Sequence, residues 1–433
     1  MQMFQEDPTL LLPTAPSTIK MAIADVIMRL PEKYRVLPVL LGAVLIHLAL
    51  GTYHTFGNML PYMSSYLRNR TDHTVTHEML VWIPMMQGCF PFAMVVGGLI
   101  SHRLGPRFTA ALGCALMASG VFFSSFTITQ SLWSFMMTYG FMYGLGQGIA
   151  YVTAVASVIN WAPNKVGLVS GIVAAGFGFS SSIFAPFQTK MVNPWNYNPE
   201  HDGYFHQPEL LDKVPHVFRL LGIIYAVMQS VGLIFICDPP GAGKVRNRSQ
   251  SRDTNGSSDA EESSDDGARK EVEKSMAPGE VLKSSTFYAL FVALFCCSFY
   301  ANTVYTLYKT FAEHFIEDDM FLATAFSLGS VCNAIARISW GLLTDKTSFQ
   351  TALSLACSMA SVLLLTMPLT AWGGRIVFLA WIMALFVCMA ATHALFITAI
   401  VRCFGPKYKA TNYGMVVFST VRRCFGLIVK ETG

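Results

Sequence analysis

The sequence predicts an all-α polytopic membrane protein built from two six-helix bundles, the second of which is incomplete. Of the 433 residues, 53% are hydrophobic and only 13% are charged, whereas a typical water-soluble domain carries about twice that charged fraction. Long apolar runs recur along the chain, with polar turns between them. A glycine-led loop follows the second run of each half, which indicates an internal twofold repeat. Most of the surface is therefore expected to face lipid.

Eleven apolar runs are long enough to cross a bilayer, because a hydrocarbon core of about 30 Å needs roughly 20 apolar residues in a helix. The first half contains six runs, Val36–Tyr66, Met79–Ser101, Phe108–Phe126, Leu132–Val158, Val166–Phe187 and Val217–Cys237. The second half contains five, Ser285–Phe311, Met320–Leu343, Thr351–Trp372, Ile376–Val401 and Thr411–Val429. We expect about eleven spanning helices.

The runs divide the chain into a cytosolic tail over residues 1–35, an N-terminal six-helix bundle over 36–237, a linker over 238–283 and a C-terminal bundle over 284–433. The linker is rich in Ser, Gly and charged residues. Because such a composition cannot bury a core, we expect a disordered cytosolic tether. Attraction of its basic part to anionic lipid and phosphorylation of its acidic, Ser-rich part remain open alternatives.

The distribution of basic residues predicts the orientation in the membrane. With the N-terminus in the cytosol, most Lys and Arg residues of the loops fall on the cytosolic side, as the positive-inside rule requires. The same arrangement places the sequon at Asn69 on the outer side, so we expect Asn69 to be glycosylated. We expect an integral, multi-pass protein of the plasma membrane rather than of an organelle.

The last apolar run differs from the others. It begins at Thr411 but meets Arg422 and Arg423, and two adjacent arginines are costly in the middle of a bilayer. No further apolar run follows before Gly433. We therefore expect a truncated or alternatively spliced product, whose second bundle lacks one helix.

The two glycine-led loops carry a specific resemblance. The loop Gly98–Arg107 reads Gly-Leu-Ile-Ser-His-Arg-Leu-Gly-Pro-Arg, and the loop Gly341–Ser348 reads Gly-Leu-Leu-Thr-Asp-Lys-Thr-Ser. They resemble the signature loop of the major facilitator superfamily, Gly-x-Leu-x-Asp-Arg-x-Gly-Arg-Arg, although His102 stands where that pattern has an acid. The resemblance implies two six-helix bundles and a gating role for the loops. The gating candidates are Gly98, Arg103, Gly105, Arg107, Gly341, Asp345 and Lys346.

The eighth apolar run contains the most regularly spaced group of candidate residues. Four of them follow at intervals of four positions: Asn333, Arg337, Gly341 and Asp345. This spacing places them along one face of a helix. A guanidinium in an apolar helix must face a cavity or an acidic partner, and its donors suit a carboxylate. Arg337 is therefore either an anchor for an anionic substrate or half of an interhelical ion pair.

A narrower resemblance covers the same run. Val331–Gly341 resembles the eighth helix of oxalate:formate antiporters and monocarboxylate transporters, while Tyr139–Tyr151 and Asn160–Gly178 resemble the fourth and fifth helices of the antiporter branch. The resemblance implies that Arg337 contributes to recognition of a carboxylate. Monocarboxylate transporters often have an acid, linked to proton coupling, where Asn333 stands. Since an amide does not titrate, we expect no proton coupling through this position.

Polar residues also interrupt the first apolar run, at Tyr53, His54 and Asn58. The first-helix lysine of monocarboxylate transporters falls near Asn58, where this chain departs from the pattern. A histidine inside a membrane helix either packs against its neighbours or contacts the substrate, and both interpretations stay open for His54. The candidate substrate-binding residues are therefore Tyr53, His54, Asn58, Asn333 and Arg337.

Together these features predict a secondary transporter, an antiporter or a symporter, that moves a mono- or dicarboxylate by alternating access. Its expected partners are the small carboxylate and the lipid bilayer. The sequence has no phosphate-binding loop, nucleophile triad or metal-ligand motif, so we expect no catalytic residues, cofactor or metal. A net charge of +4 is too small to indicate a nucleic-acid partner. The alternative is a truncated, non-transporting isoform or receptor that acts through the linker.

Overall fold

The computed structural model describes residues 17–195, 197, 199–200, 202–240, 275–316 and 319–420. Within these residues the chain is helical, with short connecting segments and no strand. Most of the predicted tether, residues 241–274, and the final residues 421–433 lie outside the described part. The expected truncation of the second bundle and the alternative role as a receptor therefore stay predictions.

Long helices follow one another through the first half. They are α1 (Val36–Leu50), α2 (Phe56–Arg70), α3 (Phe90–Leu104), α4 (Pro106–Thr127), α5 (Tyr143–Trp161), α6 (Val166–Val192) and α7 (Lys213–Phe235). Shorter α-helices are Ser17–Met28, Trp82–Gln87, Leu132–Phe135 and Pro208–Leu211.

The second half repeats this all-helical pattern. After the short helix Pro278–Val281 come α8 (Ser285–Glu313), α9 (Asp319–Lys346), α10 (Phe349–Thr366), α11 (Thr370–Phe404) and α12 (Lys409–Val417). One predicted boundary agrees with the structure. The sequence places a gap between Trp372 and Ile376, and the backbone is non-helical there at Gly374, where φ is +70° and ψ is −166°. Glycine adopts this conformation without the steric cost that a side chain would meet, so α11 consists of two helical parts that meet at Gly374.

Seven stretches of the described residues are long and apolar enough to cross a membrane. Six of them coincide with the six runs of the first half, and the seventh, Phe349–Phe404, joins α10 to α11. The surface agrees with burial in lipid, because Leu365, Trp372 and Ile376 are each more than four-fifths exposed. Large apolar side chains on the outside are unfavourable in water and favourable in a bilayer.

The first span is broken where its polar residues occur. A tight 3₁₀ segment, Gly51–Thr55, separates α1 from α2. A Cβ atom at Gly51 would collide with the carbonyl oxygen of Phe177 in α6, so only glycine permits this approach. The break places Tyr53 and His54 beside α6 in the middle of the first bundle.

Several helix pairs join the halves. Helix α6 packs along α9, and α3 packs against α12. We call the ends of these helices near residues 98, 167, 341 and 411 the inner ends, since the charge pattern predicts that they face the cytosol. Of the candidate substrate-binding residues, Asn333 and Arg337 lie farther along α9, whereas Tyr53, His54 and Asn58 lie on the 3₁₀ segment and α2 beside α6.

Candidate functional site

Arg337 is held at the contact between the two bundles. Its side chain is only 5% exposed. The Nε group donates to Asn333 Oδ1 at 3.0 Å, and Nη1 donates to the carbonyl oxygen of Ala174 in α6 at 3.0 Å. Nη2 donates to no protein atom of the described residues. The guanidinium is thus fixed in orientation while one amino group stays available for a ligand.

Asn333 orients this guanidinium from one helical turn away. Its amide nitrogen donates to the carbonyl oxygen of Phe386 in α11 at 2.7 Å, and its amide oxygen therefore faces Arg337 Nε. The side chain is 3% exposed, so both ends of the amide are used inside the protein. No acidic side chain pairs with Arg337 among the residues the structure describes. The interhelical ion pair considered from the sequence is therefore not present there.

Aromatic side chains of both bundles lie near Arg337. The Arg337 charge acts on His54, Tyr151 and Tyr413, which shows that these side chains lie nearby. Phe177 connects two of them, with ring-centre distances of 5.2 Å to His54 and 5.4 Å to Tyr151. The site therefore combines one cation from the second bundle with an aromatic and hydroxyl-bearing wall.

His54 lines an open space within this wall. Its ring lies deep among protein atoms, yet the residue is exposed to solvent. A side chain that is both central and accessible borders a solvent-accessible space rather than the packed core. Tyr53 stands beside it, with the two rings 5.4 Å apart. The structure thus brings His54, Tyr53 and Arg337 to one region.

Asn58 has a different environment. Its amide nitrogen donates to the carbonyl oxygen of Ala185 at 3.2 Å, and its amide oxygen accepts from the Thr189 hydroxyl at 3.1 Å. These bonds tie α2 to α6, one turn beyond His54. Contact of Asn58 with a substrate stays a prediction.

Three side chains of this region were not among the predicted site residues. Tyr151, Phe177 and Tyr413 lie on α5, α6 and α12. The segments that resemble known helices include Tyr151 and Phe177, but a resemblance does not tell which face of a helix points inward. Whether these side chains point toward Arg337 depends on how α5, α6, α9 and α12 are rotated when they pack together.

The first inner contact, which we call the Asp345 gate, consists of Gly167, Leu168, Gly341, Asp345 and Arg402. The Asp345 carboxylate accepts hydrogen bonds from the backbone N–H groups of Gly167 at 2.9 Å and Leu168 at 2.8 Å, at the start of α6. Arg402 lies 3.7 Å from the same carboxylate. An anion is favoured at a helix N-terminus because unsatisfied N–H groups point at it. This gate therefore joins α9 of the second bundle to α6 of the first through backbone donors.

The glycines of the Asp345 gate permit its close contact. A Cβ atom at Gly341 would collide with the carbonyl oxygen of Gly167. One turn deeper, a Cβ atom at Gly171 would lie 2.5 Å from the carbonyl oxygen of Arg337. Small residues at this spacing let two membrane helices approach along their backbones.

The second inner contact, which we call the Lys409 gate, consists of Gly98, Asn160, Asp238, Lys409 and Thr411. Lys409 is 5% exposed and donates to the amide oxygen of Asn160. The amide nitrogen of Asn160 in turn donates to Asp238 at 2.7 Å. A Cβ atom at Gly98 would lie 2.5 Å from the backbone nitrogen of Thr411, so this pair is also in close contact.

The remaining residues of the two signature loops lie around these gates. Gly105 has φ +93° between α3 and α4, a turn conformation that favours glycine. His102 stacks on Tyr408, with ring centres 5.0 Å apart. Arg107 is half-buried, whereas the other two basic candidates, Arg103 and Lys346, are exposed. Their role in gating stays a prediction.

Asn69 ends α2 on the predicted outer side. Its amide nitrogen, the atom that would carry a glycan, donates to the carbonyl oxygens of Ser65 at 2.8 Å and Phe205 at 3.2 Å. Its amide oxygen faces His206 Nδ1 at 3.0 Å. Glycosylation therefore has no support from the structure, because it would require these bonds to break. The described residues also contain no group of three or more His, Cys, Asp or Glu side chains placed to hold a metal ion.

Comparisons with known proteins agree with this architecture. The family model described as Major Facilitator Superfamily matches residues 39–423. Apicoplast pyruvate carrier 1 of Toxoplasma gondii is 27% identical, over 89% of this chain and 81% of that protein. The oxalate:formate antiporter of Oxalobacter formigenes is 24% identical, over 73% of this chain and 66% of that protein. The structure of the proton:xylose symporter XylE superposes with a TM-score of 0.62 at 12% identity, covering 93% of this chain and 90% of that one.

These matches confirm the resemblance to the oxalate:formate antiporter and monocarboxylate transporter branch. They also confirm that the protein is a multi-pass membrane transporter and not an enzyme. The chain belongs to the Major Facilitator Superfamily.

Proposed function

We propose that this protein carries a small organic anion, a mono- or dicarboxylate, across its membrane by alternating access. The observation that carries the proposal is the Arg337 guanidinium, buried between the bundles with Nη2 left without a protein acceptor among the described residues. A carboxylate is the ligand that matches this arrangement, because it accepts hydrogen bonds from a guanidinium and cancels its charge.

The surroundings of Arg337 leave room for such a ligand. A Cβ atom at Gly178 would lie 3.4 Å from Nε and 3.6 Å from Nη2, so α6 approaches the guanidinium there without a side chain between them. Nearby, His54 borders a solvent-accessible space, and the Phe177 ring packs beside it. The carboxylate of a small anion would contact the Arg337 guanidinium, and the rest of the anion would contact the rings of His54 and Phe177. This arrangement favours carboxylates whose remaining part is short.

Both inner gates are closed in the structure, while the region around His54 is accessible. A central site that is sealed at one end supports alternating access, in which the two bundles rock around a fixed binding position. Two relatives are named for pyruvate and for oxalate and formate, all small carboxylates, and this agrees with the proposed substrate class.

The location in the cell is part of the proposal. We propose the plasma membrane, and one relative is named for an organelle, the apicoplast. Fractionation of cells that express the tagged chain decides between the two locations. Co-enrichment of the chain with an organelle marker, and not with a plasma-membrane marker, would overturn the proposed location.

Substitution of Arg337 tests the substrate class. Arg337→Gln keeps a hydrogen-bonding side chain but removes the charge. We expect uptake of labelled pyruvate or oxalate into proteoliposomes to fall at least about 30-fold, because removing one partner of a buried charge pair costs about 2 kcal/mol or more. The matched control is Arg219→Gln in α7, whose guanidinium stacks on Phe126 at 5.2 Å, away from the site. Equal uptake by the wild type and Arg337→Gln for every carboxylate tested would exclude Arg337 as the anchor.

A further inference from the structure

The break in the first span leaves backbone groups that need partners inside the bundle. The 3₁₀ segment Gly51–Thr55 interrupts the α-helical pattern between α1 and α2. Where an α-helix ends, the carbonyl groups of its last turn lose their partners along the chain. Within a bilayer no water replaces those partners, so side chains of neighbouring helices must donate instead. The side chains that donate here identify what holds the break in place.

Two side chains one turn apart on α5 donate to the same carbonyl group. The Tyr143 hydroxyl donates to the carbonyl oxygen of Leu50 at 3.1 Å, and the amide nitrogen of Gln147 donates to the same oxygen at 3.0 Å. The Tyr143 hydroxyl also lies 3.2 Å from the hydroxyl of Thr52. Tyr143 is 1% exposed and Gln147 is 2% exposed, so both contacts lie inside the bundle. We call Tyr143, Gln147 and the Leu50 carbonyl group the Leu50 clamp.

Helix α6 holds the same stretch of chain from a second side. The Ser180 hydroxyl donates to the carbonyl oxygen of Leu48 at 2.6 Å, and the amide nitrogen of Gln188 donates to the Thr55 hydroxyl at 2.9 Å. The Thr55 hydroxyl donates in turn to the carbonyl oxygen of Thr52 at 2.7 Å. Both threonines are buried. Because side chains three residues apart eclipse in a 3₁₀ segment, Thr52 and Thr55 form one face that points into the first bundle.

The two residues between these threonines lie on other faces of the turn. Tyr53 is half-buried and His54 is exposed, and the His54 ring lies 5.2 Å from Phe177 at the site. In a regular α-helix the Leu50 carbonyl would pair with the backbone N–H group of His54. A 3₁₀ segment turns by about 120° per residue and an α-helix by about 100°, so a regular helix would rotate His54 by about 40° relative to Thr52. The Leu50 clamp gives that carbonyl other donors and thereby favours the tighter turn.

We propose that Tyr143 and Gln147 are positioning residues for substrate binding. By holding the Leu50 carbonyl group they keep the 3₁₀ turn, and the turn presents Tyr53 and His54 to the site. The inference rests on the proposed function, since it takes a small carboxylate as the substrate that these rings contact. It adds two residues that set the affinity for the substrate without touching it.

Gln147→Met tests this role with a side chain of similar volume that cannot donate. We expect the KM for uptake of labelled pyruvate into proteoliposomes to rise about three- to tenfold, with the maximal rate changed less than about twofold, because the ring positions shift while both gates are untouched. Tyr143→Phe, which removes only the hydroxyl, should change KM in the same direction. The matched control is Thr153→Val, also on α5, whose hydroxyl donates to the carbonyl oxygen of Ile149 in its own helix at 2.6 Å. A wild-type KM in both clamp variants, or an equal rise in Thr153→Val, would overturn the positioning role.

A chain that carries Tyr53→Ala and His54→Ala separates positioning from a general effect on packing. Without the two rings the clamp has nothing to direct, so we expect Gln147→Met to raise KM no further in this background. A further rise as large as that in the wild-type background would overturn the positioning role. Where uptake by this background is too slow to give a KM, the Kd for pyruvate in detergent provides the same comparison. If Gln147→Met does not fold, Tyr143→Phe replaces it in both experiments.

Failure of the positioning role and failure of the proposed function give different results. The outcomes above that overturn the positioning role leave carboxylate uptake by the wild type intact. Absence of pyruvate, oxalate and formate flux in wild-type proteoliposomes would overturn the proposed function and, with it, this inference.

Discussion

The two inner contacts, which we expect to act as gates, join the same end of the two bundles by different chemistry. In the Asp345 gate, the Asp345 carboxylate accepts hydrogen bonds from two backbone N–H groups at the start of α6. The positively charged Arg402 side chain lies beside the same carboxylate. In the Lys409 gate, a buried ammonium donates to the amide oxygen of Asn160, whose amide nitrogen donates to Asp238. Both gates rely on glycine contacts between bundles, at Gly341 and Gly98. The two gates share a close approach of helix backbones at a glycine. They differ in the polar groups that form the hydrogen bonds.

The difference follows from one residue in each signature loop. The second loop has Asp345 at its fifth position, whereas the first has His102 there. An imidazole cannot accept two backbone hydrogen bonds as a carboxylate does, and His102 instead stacks on Tyr408. The Lys409 gate is therefore closed by side chains, which adapt more easily than backbone groups. We expect the Asp345 gate to be the more sensitive of the two to substitution.

Among substitutions at the two gates, the largest expected effect comes from Gly341→Val. The new side chain would meet the carbonyl oxygen of Gly167, and overpacking of such a contact costs about 1–3 kcal/mol or more. We expect the inner end to open and uptake from outside to fall at least about tenfold. The measurement is uptake in proteoliposomes, together with maleimide labelling of a cysteine introduced at Ser170 from the inner side. Gly279→Val is the control, since no heavy atom lies within 4 Å of a Cβ atom there.

A smaller effect is expected from Asp345→Asn. The amide loses the charge that Gly167 N–H, Leu168 N–H and Arg402 now share, and a hydrogen bond to a charged group contributes about 1.5–3 kcal/mol. We expect a smaller fraction of molecules to have the inner end closed. The rate of maleimide labelling at the Ser170 cysteine should therefore rise about tenfold. Asp212→Asn, at the exposed outer pair with Arg70, should leave labelling unchanged. Unchanged labelling in Asp345→Asn would show that the glycine contacts alone close this gate.

The smallest effect is expected from Lys409→Met. The substitution breaks the bond to Asn160, but it also removes the cost of burying an ammonium group, and Asn160 keeps its bond to Asp238. We expect uptake and inner labelling to change less than about threefold. A loss as large as that of Asp345→Asn would reverse the ranking of the two gates.

Much of the architecture was predictable because it depends on local pattern. The six runs of the first half coincide with six stretches able to span a membrane, since hydrophobicity over about 20 residues is a property of the segment alone. The gap predicted between Trp372 and Ile376 also agrees with the structure, because the backbone leaves the helical conformation at Gly374.

The site was predictable only in part. Regular spacing on α9 indicated that Asn333 and Arg337 share a face, and in the structure they are hydrogen-bonded. The same reasoning left open whether Arg337 pairs with an acid. It also missed Tyr151 and Tyr413, because their approach to Arg337 depends on the rotation of separate helices.

The amino-acid sequence alone determined that the chain crosses a membrane, that its halves repeat, and that an arginine lies within an apolar helix. Each of these is a property of a short segment or of a repeated motif. Only the tertiary structure decided what that arginine contacts. The bond from Arg337 to Ala174 joins residues 163 positions apart. The absence of a balancing acid among the described residues likewise depends on every helix that reaches the site, and no local pattern contains that information.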